Sequence, residues 1–294
     1  MSLIPNQLFY CKNKDTYPPF KNGLYLEEYF LKYMNDNNIQ TKRKYIPALW
    51  TNFQIEGWFN SKQNEMQNAL DIWINNNPSS QGYFTIFQYD DGPKLKLPKN
   101  TIIYGACSGD IPIPLIYEDK NNILLNIPIK SFSEKNILCS FIGNITSNTL
   151  SPNVREMMFN KFQHNSNFKM INAGGWTPIV NKNNQDTFIT TTLNSKFAFA
   201  PRGYGRSSFR FFECLKLRTI PIYVWNDINW LPFQDKIDYN KLCIVCQVYN
   251  LDTLEKTLNS ITEIEYTQML EYYQTIKHFF TLEGMSKEII QLNY

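Results

Sequence analysis

Residues 196–218, KFAFAPRGYGRSSFRFFECLKLR, are the stretch of this chain whose residue types and spacing best fit a chemical task. An apolar, strand-like run delivers the backbone into Pro201-Arg202-Gly203-Tyr204-Gly205, and the pattern predicts a helix opening at Ser207 or Ser208. A helix start offers unpaired N–H groups and the positive end of its dipole to an anion. Arg202, Arg206 and Arg210 surround that start, and a guanidinium fork matches phosphate oxygens in pairs. Glu213 follows Arg210 by three residues and so shares its helix face. The segment reads as a phosphate or nucleotide site. The plainer alternative is a solvated basic loop whose arginines pair with nearby acids. The Walker Gly-Lys-Ser/Thr is missing, and GYGRSS lacks the third glycine of a dinucleotide turn. Without any Asp-x-Asp to clamp a metal, arginine would neutralise a diphosphate instead.

The elements that position this segment follow from periodicity. Helical spacing marks Gly23 to Met34, Ser61 to Ile74, Val154 to Phe162, Thr187 to Leu193 and Ser207 to Leu217. Strand patterns mark Tyr45 to Phe53, Tyr83 to Tyr89, Thr101 to Tyr104, Asn136 to Ile142 and Phe168 to Ile171. Further strands are expected at Lys196 to Ala200, Ile220 to Val224 and Leu242 to Val248, before a mostly helical tail from Leu251 to Leu292. Alternating β and α units predict an α/β protein with parallel sheets, whose ligands bind beyond the carboxyl ends of the strands. A change of pattern at Asp119 to Glu134 suggests a seam. The expected layout is residues 1–130, residues 131–260 and a helical segment 261–294, the first two being α/β halves that face a cleft.

Composition narrows the function. With 43% apolar residues the chain can bury a sizeable core. A net charge of +3 is too small a surplus for a general nucleic-acid or membrane-surface binder, so no nucleic-acid partner is expected. Aromatics reach 15%, which suits either a Phe-rich core or stacking on sugars. No signal peptide and no membrane span are expected, and six cysteines among apolar neighbours read as free thiols of a cytoplasmic protein. Cys243-Ile-Val-Cys246 looks like half a zinc site, but on a strand the two side chains leave opposite faces. Only His164 and His278 could serve a histidine-dependent device, and neither neighbours a candidate nucleophile.

The sequence resembles the exostosin family of glycosyltransferases, family 47. The motifs are Pro201-Arg202-Gly203, Ser208-Phe209-Arg210-Phe211-Phe212-Glu213, Ile220-Pro221-Ile222, and Leu231-Pro232-Phe233 with Ile237-Asp238. Weaker echoes are Phe141-Ile142-Gly143 with a helical Arg155, Asp110-Ile111-Pro112-Ile113-Pro114, and Gln88-Tyr89-Asp90-Asp91-Gly92. The resemblance implies a GT-B-like fold of two Rossmann-like domains with C-terminal helices. It also implies a nucleotide-sugar donor, UDP before other nucleotides, held in the second domain, inversion at the anomeric carbon, a glycan or other hydroxyl acceptor, and no cofactor or metal.

Inverting transfer would then need two devices. Departing diphosphate would be met by Arg202, Arg206, Arg210 and the amides of Gly205, Arg206, Ser207 and Ser208. Glu213 would accept from ribose hydroxyls, while Tyr204 and the loop at Gly143 and Asn144 would hold base or phosphates. A sugar hydroxyl also needs a general base. Asp90 and Asp91 end a strand and repel one another, which raises one pKa, although an Asp-Asp-Gly-Pro turn explains them equally well. Asp110 is the reserve candidate, and Asp227 is placed to touch the donor sugar. A rival reading is a nucleotide- or carbohydrate-binding protein without turnover on the same fold.

Overall fold

A computed structural model describes residues 2–12, 23–146, 152–174 and 182–294. The chain divides into two compact units, Met1–Glu118 with His278–Tyr294, and Asp119–Lys277.

In the first unit the elements are α1 (Leu26–Asp36), β1 (Lys44–Tyr45), α2 (Trp50–Gln54), α3 (Phe59–Asn76), β2 (Tyr83–Phe87), β3 (Thr101–Gly105) and β4 (Ile111–Pro112). They form one parallel sheet in the order β1-β2-β3-β4, in register at Phe84 with Ile102 and at Tyr104 with Ile111. β2 is buried along its whole length, which is why it reads as an unbroken apolar and aromatic run. Thr85 at its centre is satisfied: its hydroxyl accepts from Trp50 Nε1 at 2.7 Å and donates to the Ile46 carbonyl at 3.1 Å.

The strand expected over Tyr45 to Phe53 is only two residues long, and Trp50–Gln54 is helix. Burial decides this. Trp50 and Phe53 pack with Phe9 at ring distances of 6.3 and 5.3 Å, and the Thr51 N–H at the helix start donates to Glu27 Oε2 at 2.9 Å. The last helix, α9 (Leu282–Leu292), also belongs here. Asn293, just beyond it, donates through Nδ2 to Tyr104 Oη at 2.9 Å and accepts from Lys42 N at 2.9 Å.

The second unit contains β5 (Ile137–Gly143), α4 (Val154–Phe162), β6 (Phe168–Asn172), α5 (Lys182–Leu193), β7 (Ser195–Pro201), α6 (Phe209–Lys216), β8 (Ile220–Trp225), β9 (Ile244–Gln247), α7 (Leu251–Ser260) and α8 (Glu263–Ile276). Its five strands are all parallel, in the order β6-β5-β7-β8-β9. One core unites Phe141, Phe197, Phe199 and Ile222 of the sheet with Met158 of α4, Leu254 of α7 and Tyr266 of α8.

Two boundaries differ from the expected ones. The second unit starts at Asp119, whose carboxylate accepts from Ile123 N and Leu124 N. The C-terminal helices are shared out: α7 and α8 complete the second core, and α9 returns to the first unit.

Candidate functional site

The strand order of the second unit creates a switch point. From β5 the chain crosses to β6 on one side, then returns past β5 to β7 and continues outward. Right-handed crossovers therefore put α4 on one face and α5 and α6 on the other. The crevice beyond the carboxyl ends of β5 and β7 is where ligands bind in sheets of this order. Gly143 ends β5, and Pro201 ends β7. The residues singled out in the sequence, Arg202 to Arg210 with Gly143 and Asn144, fall at this one place.

Both strands lead through a loop into a capped helix. The Asn153 side chain accepts from Glu156 N at the start of α4, and Ser208 Oγ accepts from Arg210 N at the start of α6. Each helix carries an arginine at its second position, Arg155 and Arg210. A helix dipole disfavours cations there, so the pair marks a place suited to an anion.

Arg155 reaches across the switch point. Its Nε donates to the Arg202 carbonyl at 3.1 Å and its Nη1 to the Asn144 carbonyl at 3.2 Å. A Cβ at residue 203 would lie 2.6 Å from Arg155 Nη2, so only glycine lets the guanidinium pass. The same holds at Gly143, where a Cβ would lie 2.7 Å from Arg210 Nη2.

The Arg210 guanidinium lies over the Phe141 ring at 5.4 Å and the Phe188 ring at 5.8 Å. Its Nε is buried and has no hydrogen-bond partner among the described residues. Burial lowers the guanidinium's pKa, opposed by the charge of Glu213, which is itself buried one turn along α6. A buried donor without an acceptor is a standing cost that a bound oxyanion would remove.

Arg202 and Arg206 are engaged differently. Arg202 is almost wholly buried. Its Nη1 donates to Asn226 Oδ1 at 3.0 Å and to Asp227 Oδ1, and its Nη2 to the Tyr204 carbonyl at 3.0 Å. Arg206 Nε donates to Asp227 Oδ2 at 2.9 Å, and its guanidinium lies 5.4 Å from the Trp230 ring. Burial alone would raise the Asp227 pKa, but donation by Arg202, the Ile228 amide and Arg206 outweighs it and brings the group down to about 2. Asp227 is thus the shared counter-ion of two arginines. In the turn between them Gly203 N donates to the Gly205 carbonyl at 3.1 Å, Tyr204 is exposed, and Ser207 is half-buried. The Asn144 side chain is spent on its own loop, accepting from Thr146 N and Oγ1.

Asp90 and Asp91 lie in the first unit, just past the carboxyl end of β2. Gln54 fixes their turn: its Nε2 donates to the Gly92 carbonyl at 3.0 Å, and its Oε1 accepts from Lys94 N at 2.8 Å. Asp91 lies 4.0 Å from Lys94 Nζ. Asp110 closes its own loop, its Oδ2 accepting from Ile103 N at 2.8 Å. His164 and His278 are exposed, and all six cysteines are free, five of them buried. Among the described residues no group of three His, Cys, Asp or Glu side chains is arranged to hold a metal ion, and no helix is long and apolar enough to cross a membrane.

Sequence reasoning undervalued Arg155 and missed Asn226 and Phe188. Arg155 had a usable signal, the strand, loop and capped helix that also pointed to Arg210. Asn226 and Phe188 had none, because their roles exist only once β8 and α5 flank β7.

Comparison with known proteins adds a family to this geometry. The model of the Exostosin GT47 domain matches residues 105–261. A probable glycosyltransferase of Arabidopsis thaliana is 27% identical over 94 residues, 32% of this chain and 18% of that protein. Exostosin-1b of Danio rerio is 30% identical over 109 residues, 33% of this chain and 14% of that protein. The matches thus span under a fifth of these relatives' lengths. The crystal structure of TarM superposes with a TM-score of 0.43 at 10% identity, covering 90% of this chain and 57% of that one.

Proposed function

Because this chain belongs to the exostosin GT47 family, we propose that it is a glycosyltransferase that moves a sugar from a nucleotide-sugar donor to a glycan or other hydroxyl acceptor. UDP is the nucleotide in this reading, the anomeric centre inverts, and no metal takes part. A cytoplasmic setting is part of the proposal, supported by the free, mostly buried thiols.

The observation that carries the donor site is Arg210. It is a buried cation at the switch point whose Nε has no hydrogen-bond partner among the described residues, and glycine at 143 leaves room for its guanidinium. There the donor's diphosphate would accept from Arg210 and from the amides of Gly205, Arg206, Ser207 and Ser208 that lead into α6, with Arg155 at the second helix start. Charge grows on the diphosphate as the glycosidic bond breaks, so donors fixed beforehand favour the transition state over the ground state. Arg202 and Arg206 have a different task in this reading. Held by Asp227, they set the turn and add positive potential without each needing a phosphate contact. Glu213, deeper on α6, would accept from the ribose. Asp90 or Asp91 would take the acceptor hydroxyl's proton as that oxygen attacks in line.

A thermal-shift screen of the chain against UDP, GDP, CMP and their sugar conjugates, with and without EDTA, tests this. Selective stabilisation by UDP compounds, unchanged by EDTA and lost in Arg210→Ala, is the expected result. Loss of one charged contact should weaken binding by about 1.5–3 kcal/mol. Equal affinity in Arg210→Ala would remove that residue from the site, and binding without turnover on any acceptor would favour the binding-protein reading.

A further inference from the structure

At the far end of the second unit's sheet, by the amino ends of β7 and β8, lies a cavity of about 190 Å³. It is smaller than the roughly 300–1,000 Å³ of sites that enclose drug-sized ligands, so it is not a second nucleotide-sugar site. Its inner wall is apolar, with Leu193 and Leu217, and Tyr273 of α8 beside them. Among the described residues three cations line it, Lys216, Arg218 and Lys277, and no carboxylate does. Leu125 and Ile129, four residues apart on the segment that leads to β5, form its lip, and each is 58% exposed.

Three features make this more than a stray hollow. Two large aliphatic side chains face water next to a group of cations, the arrangement of a surface that meets both apolar and anionic matter. Arg218 holds a left-handed backbone, φ 53°, just after α6, where glycine is the usual residue. An arginine is therefore kept at a position that disfavours any side chain. Lys216 sits in the wall with its pKa lowered by burial, only partly offset by Asp119 and Glu213 to one side. An arriving anion would add to that compensation.

We propose that the cavity and its lip are a docking surface for the anionic face of a phospholipid membrane, with a lipid phosphate seated among Lys216, Arg218 and Lys277 and with Leu125 and Ile129 entering the interface. A bilayer covers exposed aliphatic groups and supplies anions in one step, whereas a free phosphate would leave Leu125 and Ile129 in water. The net charge of +3 is small, but binding of this kind depends on where the cations are gathered. Such a surface would hold the protein against a membrane without a spanning helix. It is independent of the donor site, which lies at the other end of the strands.

Co-sedimentation of the full chain with vesicles tests the proposal. Vesicles of phosphatidylcholine mixed with phosphatidylserine should bind at least about tenfold more protein than phosphatidylcholine alone, and added salt should release it. The double change Leu125→Asp with Ile129→Asp should abolish binding while leaving the melting temperature near wild type, because both side chains are exposed. Arg218→Glu with Lys277→Glu should abolish it as well. Equal binding to neutral vesicles, no binding to either kind, or full binding by the Leu125→Asp, Ile129→Asp variant would each overturn the proposal. So would binding of octyl phosphate without vesicle binding, which would mark a site for a free amphiphile instead.

Discussion

Gly143 and Arg210 are in direct apposition: the backbone that ends β5 lies so close to the arginine on the first turn of α6 that a Cβ at 143 would sit 2.7 Å from Nη2 and 2.9 Å from Cζ. This guanidinium is also the one whose Nε lacks a partner among the described residues. The glycine and the arginine form one device, with the first setting where the second points.

Gly143→Ala should therefore behave as a mild form of Arg210→Ala. The added methyl meets a side chain that can move, so the fold should tolerate it, with a stability loss of about 1 kcal/mol or less. Arg210 must shift, and nucleotide affinity should fall by about 1–3 kcal/mol as its contact lengthens. Titration calorimetry with UDP beside urea unfolding separates the two quantities. Unchanged affinity in a normally folded Gly143→Ala protein would show that Arg210's placement does not matter for the nucleotide.

Asp227 gives a prediction about acid. Its pKa is held at about 2 against an ordinary 3.8, so the native state favours the carboxylate. That contribution is complete above pH 4 and is lost as pH falls toward 2. Asp227→Asn should cost stability at pH 7 and flatten its decline between pH 4 and 2. The side chain is 35% exposed, so screening limits the loss to about 1 kcal/mol. Urea unfolding of both proteins at pH 7 and pH 3 checks it: a difference that persists undiminished at pH 3 would assign the effect to packing.

The second unit's strands and helices were readable because fully buried parallel strands appear as plain apolar runs, and β5, β7 and β8 have that form. The turn after β7 was readable for its glycines and arginines. Charge pairing was not. Asp227 is 25 residues from Arg202 and 21 from Arg206, and only the adjacency of β7 and β8 brings the three together. The residue expected to touch the donor sugar is also the counter-ion of both arginines. The helix Trp50–Gln54 escaped for a related reason, since the group at its start, Glu27, lies 24 residues earlier.

The turn after β2 yields a test of the base. Separate changes Asp90→Asn and Asp91→Asn preserve size and turn geometry, and Gln54 holds the loop through backbone groups alone. One of the two should reduce turnover by about 10²–10⁴-fold while nucleotide affinity stays at the wild-type value. Turnover measured with saturating donor gives the answer. If both variants keep full activity, the proton is taken elsewhere, and Asp90-Asp91-Gly92 is a turn and nothing more.

Glu27 supplies a prediction with the opposite sign to that of Asp227. Its carboxyl is buried with no cation paired to it among the described residues; Oε1 accepts from Thr51 Oγ1 and Gln88 N, and Oε2 from Thr51 N. Burial raises its pKa to about 7 despite these bonds. The Thr51 hydroxyl can donate to the carboxylate or turn to accept from the acid, so the network suits either state. From about pH 4.5 to 7 the native protein keeps a proton that the unfolded chain has released, so stability must fall as pH rises through that window and level off above it. The full effect is at most about 3 kcal/mol. Glu27→Gln cannot titrate, and its unfolding free energy should change less between pH 5 and pH 8 than that of wild type. Parallel slopes in the two proteins would show that Glu27 holds its proton, or has lost it, throughout that range.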